Sequence, residues 1–152
     1  MKLEHYPFST DAIHLNFEFE SDGPNGKIKK LMTFIPENIG GTTFFNLAFG
    51  NWNEEVKELD DKAVSNNQDR NKILATVAAA VIEFTIHFPD MFVFAQGSSQ
   101  SRTRLYQMGI SANLEEIESI LYVFGLSKGR WERFRKDRNY DAFLIRRKAS
   151  KA

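Results

Sequence analysis

The alternation of apolar and polar residues near the N-terminus predicts a β-strand. In AIHLNFEFE, Ile13, Leu15, Phe17 and Phe19 alternate with polar residues. A period of two places the two sets on opposite faces of a half-buried strand. The turn sequence SDGPNG follows, and KIKKLMTFIP has the pattern of a partner strand that ends at Pro36. We therefore predict a hairpin.

Two further segments have strand character. GGTTFFNLAFGNWN is apolar on much of both faces, which predicts a strand inside the sheet. VKELDDKAV is a weaker candidate for a fourth strand, because its two aspartates are poor strand formers.

The segment NNQDRNKILATVAAAVIEFTIHFPD predicts one long, mostly buried helix over about residues 69–88. Asp69 or Asn67 can cap it, and Pro89 ends it. Its polar residues form a single narrow stripe on an otherwise apolar surface; they are Lys72, Thr76, Glu83 and His87. The short apolar strand MFVFAQ follows at once, which suggests a βαβ-like crossover with a parallel pairing.

The rest of the chain predicts two short helices and three strands. The helices lie near 99–108, stopped by Gly109, and near 111–118. The strands are ILYVFGL, RWERFR and YDAFLIRRK, with SKG as the turn between the first two. The predicted fold class is α+β, a single domain over 1–152 with a mostly antiparallel sheet and one long buried helix.

Composition excludes several chemistries. The chain has 152 residues and no cysteine, so disulfides and thiolate catalysis are excluded. Its three histidines lack the paired spacing of metal ligands, and the sequence has neither a nucleophile elbow nor a Walker loop. We expect no metal and no cofactor, and the balance leans against an enzyme.

The apolar pattern also bears on location. No apolar stretch approaches the roughly 20 residues that a membrane-spanning helix needs. The N-terminal segment carries acidic residues where a signal peptide needs an apolar run. We therefore expect a cytoplasmic protein with no membrane partner. The sequence assigns no oligomeric state.

Charge is unevenly distributed although the formal net charge is zero. From Lys128 onward there are ten basic and three acidic residues, a net charge of +7. Such asymmetry is typical of a segment that meets an anionic partner. The alternative is a basic segment that docks on the acidic remainder of the chain or stays solvated.

The segment AQGSSQSRTRLYQMGI is the candidate binding site. A strand ends at Gln96, Gly97 permits a sharp turn, and a helix begins among serines, where free amides and the helix dipole favour an anion. The alternative is that Ser98 or Ser99 only caps the helix and the arginines pair with surface acids. The candidate ligand-binding residues are Gly97, Ser98, Ser99, Arg102, Arg104, Tyr106, Asn66 and Asn67.

The run LYQMGI resembles the LYxxxGF signature in a late helix of the GNAT acetyltransferases, and the order of elements is also similar. That resemblance implies a GNAT-like shape. Members of that superfamily hold the coenzyme A pyrophosphate on a glycine-rich loop that opens their central helix. This chain has NNQDRNKIL there, with Asp69 in place of glycine, so we expect no coenzyme A binding.

A likeness over nearly the whole chain is carried by GPNGKIKK, NLAFGNWNEE, NNQDRNKILATV, GSSQSRTRLYQMGI and NYDAFLIRRK. By these motifs the chain is identified as a member of a bacterial family of uncharacterised proteins, domain-of-unknown-function family 6934. The resemblance implies a common fold and brings no activity with it. The matching positions are Asn66, Asn67, Asp69, Lys72, Gly97, Ser98, Arg102, Thr103, Arg104, Tyr106 and Gly109.

Three functions are consistent with this sequence. The first is a non-catalytic binding module for an anionic small molecule or a nucleic-acid phosphate at the Gly97–Arg104 turn and helix. The second is a divergent acyltransferase. The third is a protein-interaction partner from a bacterial operon, with aromatic anchors such as Trp52, Trp131 or Phe134.

Overall fold

The computed structural model describes residues 4–53, 55–60 and 67–149. Its strands are β1 (Ser9–Thr10), β2 (Asn16–Gly23), β3 (Gly26–Ile39), β4 (Thr42–Asn53), β5 (Glu58–Asp60), β6 (Val93–Ala95), β7 (Leu121–Ser127), β8 (Arg130–Arg133) and β9 (Ala142–Arg147). Its helices are α1 (Arg70–His87), α2 (Gln100–Ala112) and α3 (Leu114–Glu118). The predicted α+β class is confirmed.

The strands form one mixed sheet. Their order is β1-β2-β3-β4-β6-β9-β7-β8, with β5 also paired to β4. The β4–β6 pair is parallel and the other pairs are antiparallel. Since α1 lies between β5 and β6 in the chain, the predicted crossover with a parallel pairing is confirmed.

The helices cover one face of the sheet. Phe84 of α1 stacks on Phe34 with ring centroids 3.9 Å apart and meets Phe45 edge-on at 5.1 Å. Inward residues of β6, β7 and β9 pack against all three helices around an apolar cavity of about 50 Å³. The core therefore lies between this face and the helices, and outward positions on the strands point to the other side.

The prediction that the second strand ends at Pro36 was wrong, because β3 continues to Ile39 and pairs Pro36 with Phe45 of β4. The reason is the position of β2, which begins at Asn16 opposite Thr33. Phe34 still donates to the Leu15 carbonyl, but within the described residues the pairing of β3 with β2 does not extend to Pro36. The missing proline N–H is therefore not needed there.

The prediction that Gly109 stops the second helix was also wrong, because α2 continues to Ala112. A Cβ atom at Gly109 would lie 3.1 Å from Cβ of Leu74 on α1. The glycine therefore allows two helices to approach closely, and it does not serve as a terminator.

The N-terminal strand and the α1 cap differ from expectation in detail. Ile13 was predicted to face the core but is 61% exposed, because the Asp11 carboxylate accepts the amides of Leu15 and Asn16 and holds the chain in a turn before β2. Asp69 occupies the capping position of α1, yet its side chain makes no capping hydrogen bond.

The sequence also made predictions about Phe134 and about the turn between β7 and β8. Phe134 does not form an exposed anchor, since it is 6% exposed and packs against Tyr140 and Phe143. Lys128 and Gly129 have positive φ angles and form the predicted turn between β7 and β8.

Within the described residues, no helix is long and apolar enough to cross a membrane.

Candidate functional site

Polar side chains from six separate segments come together where α1 begins. We call this group the polar cluster; its members are Tyr6, Ser21, Lys30, Asn51, Asn67, Asp69 and Arg102. Lys30 of β3 and Asn51 of β4 are direct cross-strand partners. Ser21 and Lys30 alternate with the buried phenylalanines and methionine of their strands, so both face the helices. The sheet thus presents polar groups at one end of an otherwise apolar face.

Asn67 fixes the turn between β2 and β3. It is 3% exposed, and its side-chain amide donates to Ser21 Oγ at 3.0 Å and to the Gly26 carbonyl at 2.8 Å. Its Oδ1 accepts the Asn25 amide at 2.7 Å. A Cβ atom at Gly23 would lie 2.2 Å from the Asn67 carbonyl oxygen. Asn67 therefore frames the polar cluster.

Asp69 gathers hydroxyl groups. Its Oδ2 accepts hydrogen bonds from the Tyr6 hydroxyl at 2.6 Å and from Ser21 Oγ at 2.5 Å. Burial, followed by this hydrogen bond to Asp69, raises the pKa of Tyr6 above its usual value. The same hydroxyl meets the Asp22 backbone, so Tyr6 ties the N-terminal segment to the cluster.

Lys30 is a buried cation. Its residue is 5% exposed, and its Nζ donates to Asn51 Oδ1 at 2.5 Å. Burial lowers the pKa of Lys30 below its usual 10.5, and the positive charge of Arg102 lowers it further, while Asp69 acts in the opposite direction. Two cations thus act on one another at the polar cluster.

Arg102 comes from the first turn of α2. Ser99 caps this helix, since its Oγ accepts the Arg102 amide at 3.3 Å. The Gly97 amide donates to Thr103 Oγ1 at 3.0 Å, and a Cβ atom at Gly97 would lie 2.4 Å from the Thr103 nitrogen. The expected serine turn is therefore a capped helix start packed tightly against Gly97, with Ser98 exposed beside it.

The other predicted site residues lie elsewhere. Arg104 donates to the Tyr140 carbonyl at 3.3 Å and reaches Gln107 Oε1 at 3.5 Å, so it holds the loop before β9. Tyr106 lines the apolar cavity. Asn66 lies outside the described residues. The structure brings Asn67 and Arg102 into the polar cluster. Arg104 instead donates hydrogen bonds near β9, and Tyr106 packs at the apolar cavity.

Sequence reasoning missed Lys30, Asn51, Ser21 and Tyr6 as members of this site. One signal was present in the sequence. Lys30 precedes Met32 and Phe34 at a spacing of two, which places a charge on the apolar face of a strand. A charged residue in such a position is rarely buried without a specific reason.

The described chain shows no cluster of three or more His, Asp or Glu residues arranged to hold a metal ion. The fold and the polar cluster define a single-sheet α+β protein with a buried lysine and a buried asparagine as its distinctive chemistry. The chain belongs to a family described as a family of unknown function (DUF6934), which matches residues 2–148.

Neither of the other two comparisons adds a relative. No curated protein matches the chain. No solved structure matches it.

The motifs that carried the family resemblance converge on the polar cluster. GPNGKIKK supplies Lys30, NLAFGNWNEE supplies Asn51, and NNQDRNKILATV supplies Asn67 and Asp69. The RTRLY segment supplies Arg102. Four segments far apart in sequence thus contribute to one place in the fold.

Proposed function

We propose that this protein is a non-catalytic binding module for an anionic ligand, held between Lys30 and Arg102. The observations that carry the proposal are the burial of Lys30, which is 5% exposed, and the position of Arg102 in the first turn of α2, from which its positive charge acts on Lys30. A phosphate or carboxylate group between them fits this chemistry, because both side chains donate charge-assisted hydrogen bonds.

The electrostatics of the free protein support this proposal. Burying an ammonium group costs several kcal/mol, and a second cation nearby adds to the cost. The Lys30 ammonium donates to Asn51 Oδ1, and the charge of Asp69 favours its charged form. A bound anion lowers the cost of holding both cations together.

The remaining predicted residues have supporting roles in this proposal. Asn67 fixes the turn beside the site, and Gly97 with Ser99 sets the start of α2 so that Arg102 projects from its first turn. The ligand class is a small molecule bearing phosphate or carboxylate groups, because Lys30 lies inside the fold and not on an open surface.

Among the described residues, no contact favours the acyltransferase hypothesis. At the start of α1, the Asn67 carbonyl packs on Gly23, and Asp69 accepts hydroxyl groups from Tyr6 and Ser21. Side chains therefore occupy the place where a coenzyme A pyrophosphate needs open backbone amides.

Calorimetric titration with inorganic pyrophosphate tests the proposal. We expect saturable binding to the wild type, weakened about ten-fold or more by Arg102→Ala, because a hydrogen bond to a charged group contributes about 1.5–3 kcal/mol. Lys30→Met should weaken binding similarly while leaving the melting temperature unchanged or raised, since it removes a buried charge and retains the side-chain volume.

Lys27→Met is the matched control, because Lys27 is exposed on the same strand. It should bind pyrophosphate as the wild type does. Two results contradict the proposal: no saturable binding to the wild type, or a Lys30→Met variant that binds normally and melts at a much lower temperature. The second result makes Lys30 a structural residue.

A further inference from the structure

The face of the sheet opposite the helices carries a second feature, which the polar cluster does not explain. Outward positions on β4, β6, β7 and β8 are aromatic; we call them the aromatic face, and they are Phe44, Phe94, Tyr122, Phe124 and Trp131. No described helix packs on this side. Outward positions of a solvent-facing antiparallel sheet are ordinarily polar, so an aromatic face of this kind marks an interaction surface.

The aromatic rings form a connected surface. Phe94 lies 6.2 Å from Phe44 and 6.3 Å from Trp131, each edge-on. Trp131 reaches Phe94 although two strands, β7 and β9, lie between β8 and β6. Trp131 is 42% exposed as a residue, and Tyr122 is also exposed. The Trp131 ring is therefore accessible for stacking.

Cations lie over the Tyr122 ring and over the ring of Phe92, which precedes β6. The Arg133 guanidinium is 5.1 Å from the centre of the Tyr122 ring, and Lys148 Nζ is 5.3 Å from it. Arg146, the cross-strand partner of Tyr122, lies 5.2 Å from the Phe92 ring. Positive charge and aromatic area are thus interleaved on one surface.

Positive charge predominates on this surface in strands β6 to β9, and Glu37 of β3 lies at its other edge, opposite Phe44. Within strands β6 to β9 the acidic residue is Glu132. It pairs with Gly125 and accepts a hydrogen bond from the Tyr140 hydroxyl, so it lies on the helix-covered face. Glu118 of α3 approaches from outside these strands and pairs with Arg133 at 3.5 Å. The outward charged side chains of β8 and β9 are arginines, which is complementary to a polyanion.

We propose that the aromatic face binds single-stranded nucleic acid, with a base stacked on Trp131 and phosphates bound by Arg133, Arg146 and Lys148 around Tyr122. Stacking platforms flanked by cations bind single strands without strong sequence preference. A duplex keeps its bases stacked inside and cannot offer them to a flat sheet. This surface is on the opposite side of the sheet from the polar cluster, so either proposal can fail alone.

Fluorescence anisotropy with labelled oligouridine and oligothymidine of about 12 nucleotides tests this proposal. We expect binding that weakens steeply with salt, and a Trp131→Ala variant at least about five-fold weaker, since stacking one base contributes roughly 1–3 kcal/mol. Equal binding of both strands supports stacking and phosphate contacts alone, whereas preference for oligouridine supports an added contact to the 2′-hydroxyl.

Trp52→Ala is the matched control, because Trp52 lies at the far end of β4, paired with Leu59 of β5. It should bind as the wild type does. Arg146→Gln provides a second measurement if Trp131→Ala is poorly folded, and it should reduce the salt slope by about 0.7. A duplex that binds as tightly as the single strand overturns the proposal. So does a protein that binds neither oligonucleotide, including one whose aromatic face captures an acidic protein instead.

Discussion

At the residue scale, the polar cluster is built from side chains whose hydrogen-bonding capacity is largely committed. Asn67 uses both amide hydrogens and its carbonyl oxygen within the fold. Lys30 adds a charge to this group, because its ammonium is carried into the interior, where it donates to Asn51. A residue that costs free energy to bury, beside others that frame it, is typical of a binding site.

Asn67→Ala should lower the free energy of unfolding by about 1–3 kcal/mol, because it removes three hydrogen bonds made by a side chain whose residue is 3% exposed. Urea denaturation measures this change. Asn38→Ala is the control; Asn38 also bonds across a turn, but it is exposed, so its loss should cost less than about 0.5 kcal/mol. Equal changes in the free energy of unfolding for both variants would show that the burial of Asn67 does not add to stability.

At the element scale, the packing of α2 against α1 brings Arg102 to the polar cluster. The two helices approach at Gly109, where Leu74 leaves no room for a larger side chain. Glycine in a helix interior costs roughly 1 kcal/mol relative to alanine. That cost is offset by close packing, which fixes how α2 lies against α1 and the sheet.

Gly109→Val should destabilise the protein by about 1–3 kcal/mol, because its branched side chain overpacks against Leu74. Ala112→Val, at the exposed end of the same helix, is the control for the lower helix propensity of valine. Thermal and urea unfolding of both variants give the comparison. If Gly109→Val is no less stable than Ala112→Val, the close approach of the helices is not a constraint.

The same two scales show what the sequence predicts and what it does not. Periodicity located α1 and the strands, since burial of one face dictates the pattern. The roles of Pro36 and Gly109 were misjudged, because each depends on a neighbour distant in sequence: the late start of β2 and the side chain of Leu74. In the site, local sequence found Arg102 and Asn67, whereas Lys30 required knowledge of which strand face is buried.

At the scale of the whole molecule, the sheet separates two chemistries. One face is covered by helices and holds the polar cluster at its end, and the other carries the aromatic face. The basic C-terminal segment is part of this architecture, because it forms β8 and β9. Several of its charges pair locally, as in Arg135 with Asp137 at 2.8 Å and Arg138 with Glu132 at 2.9 Å.

The pKa of Lys30 tests the central claim, that the polar cluster binds an anion, most directly. It can be followed by NMR through the Cε chemical shift of the lysine. In the free protein we expect this pKa to lie below 10.5, because burial disfavours the ammonium. Saturating pyrophosphate should raise it, since a nearby anion favours the charged form. A Lys30 pKa that does not change when pyrophosphate is added would contradict the account.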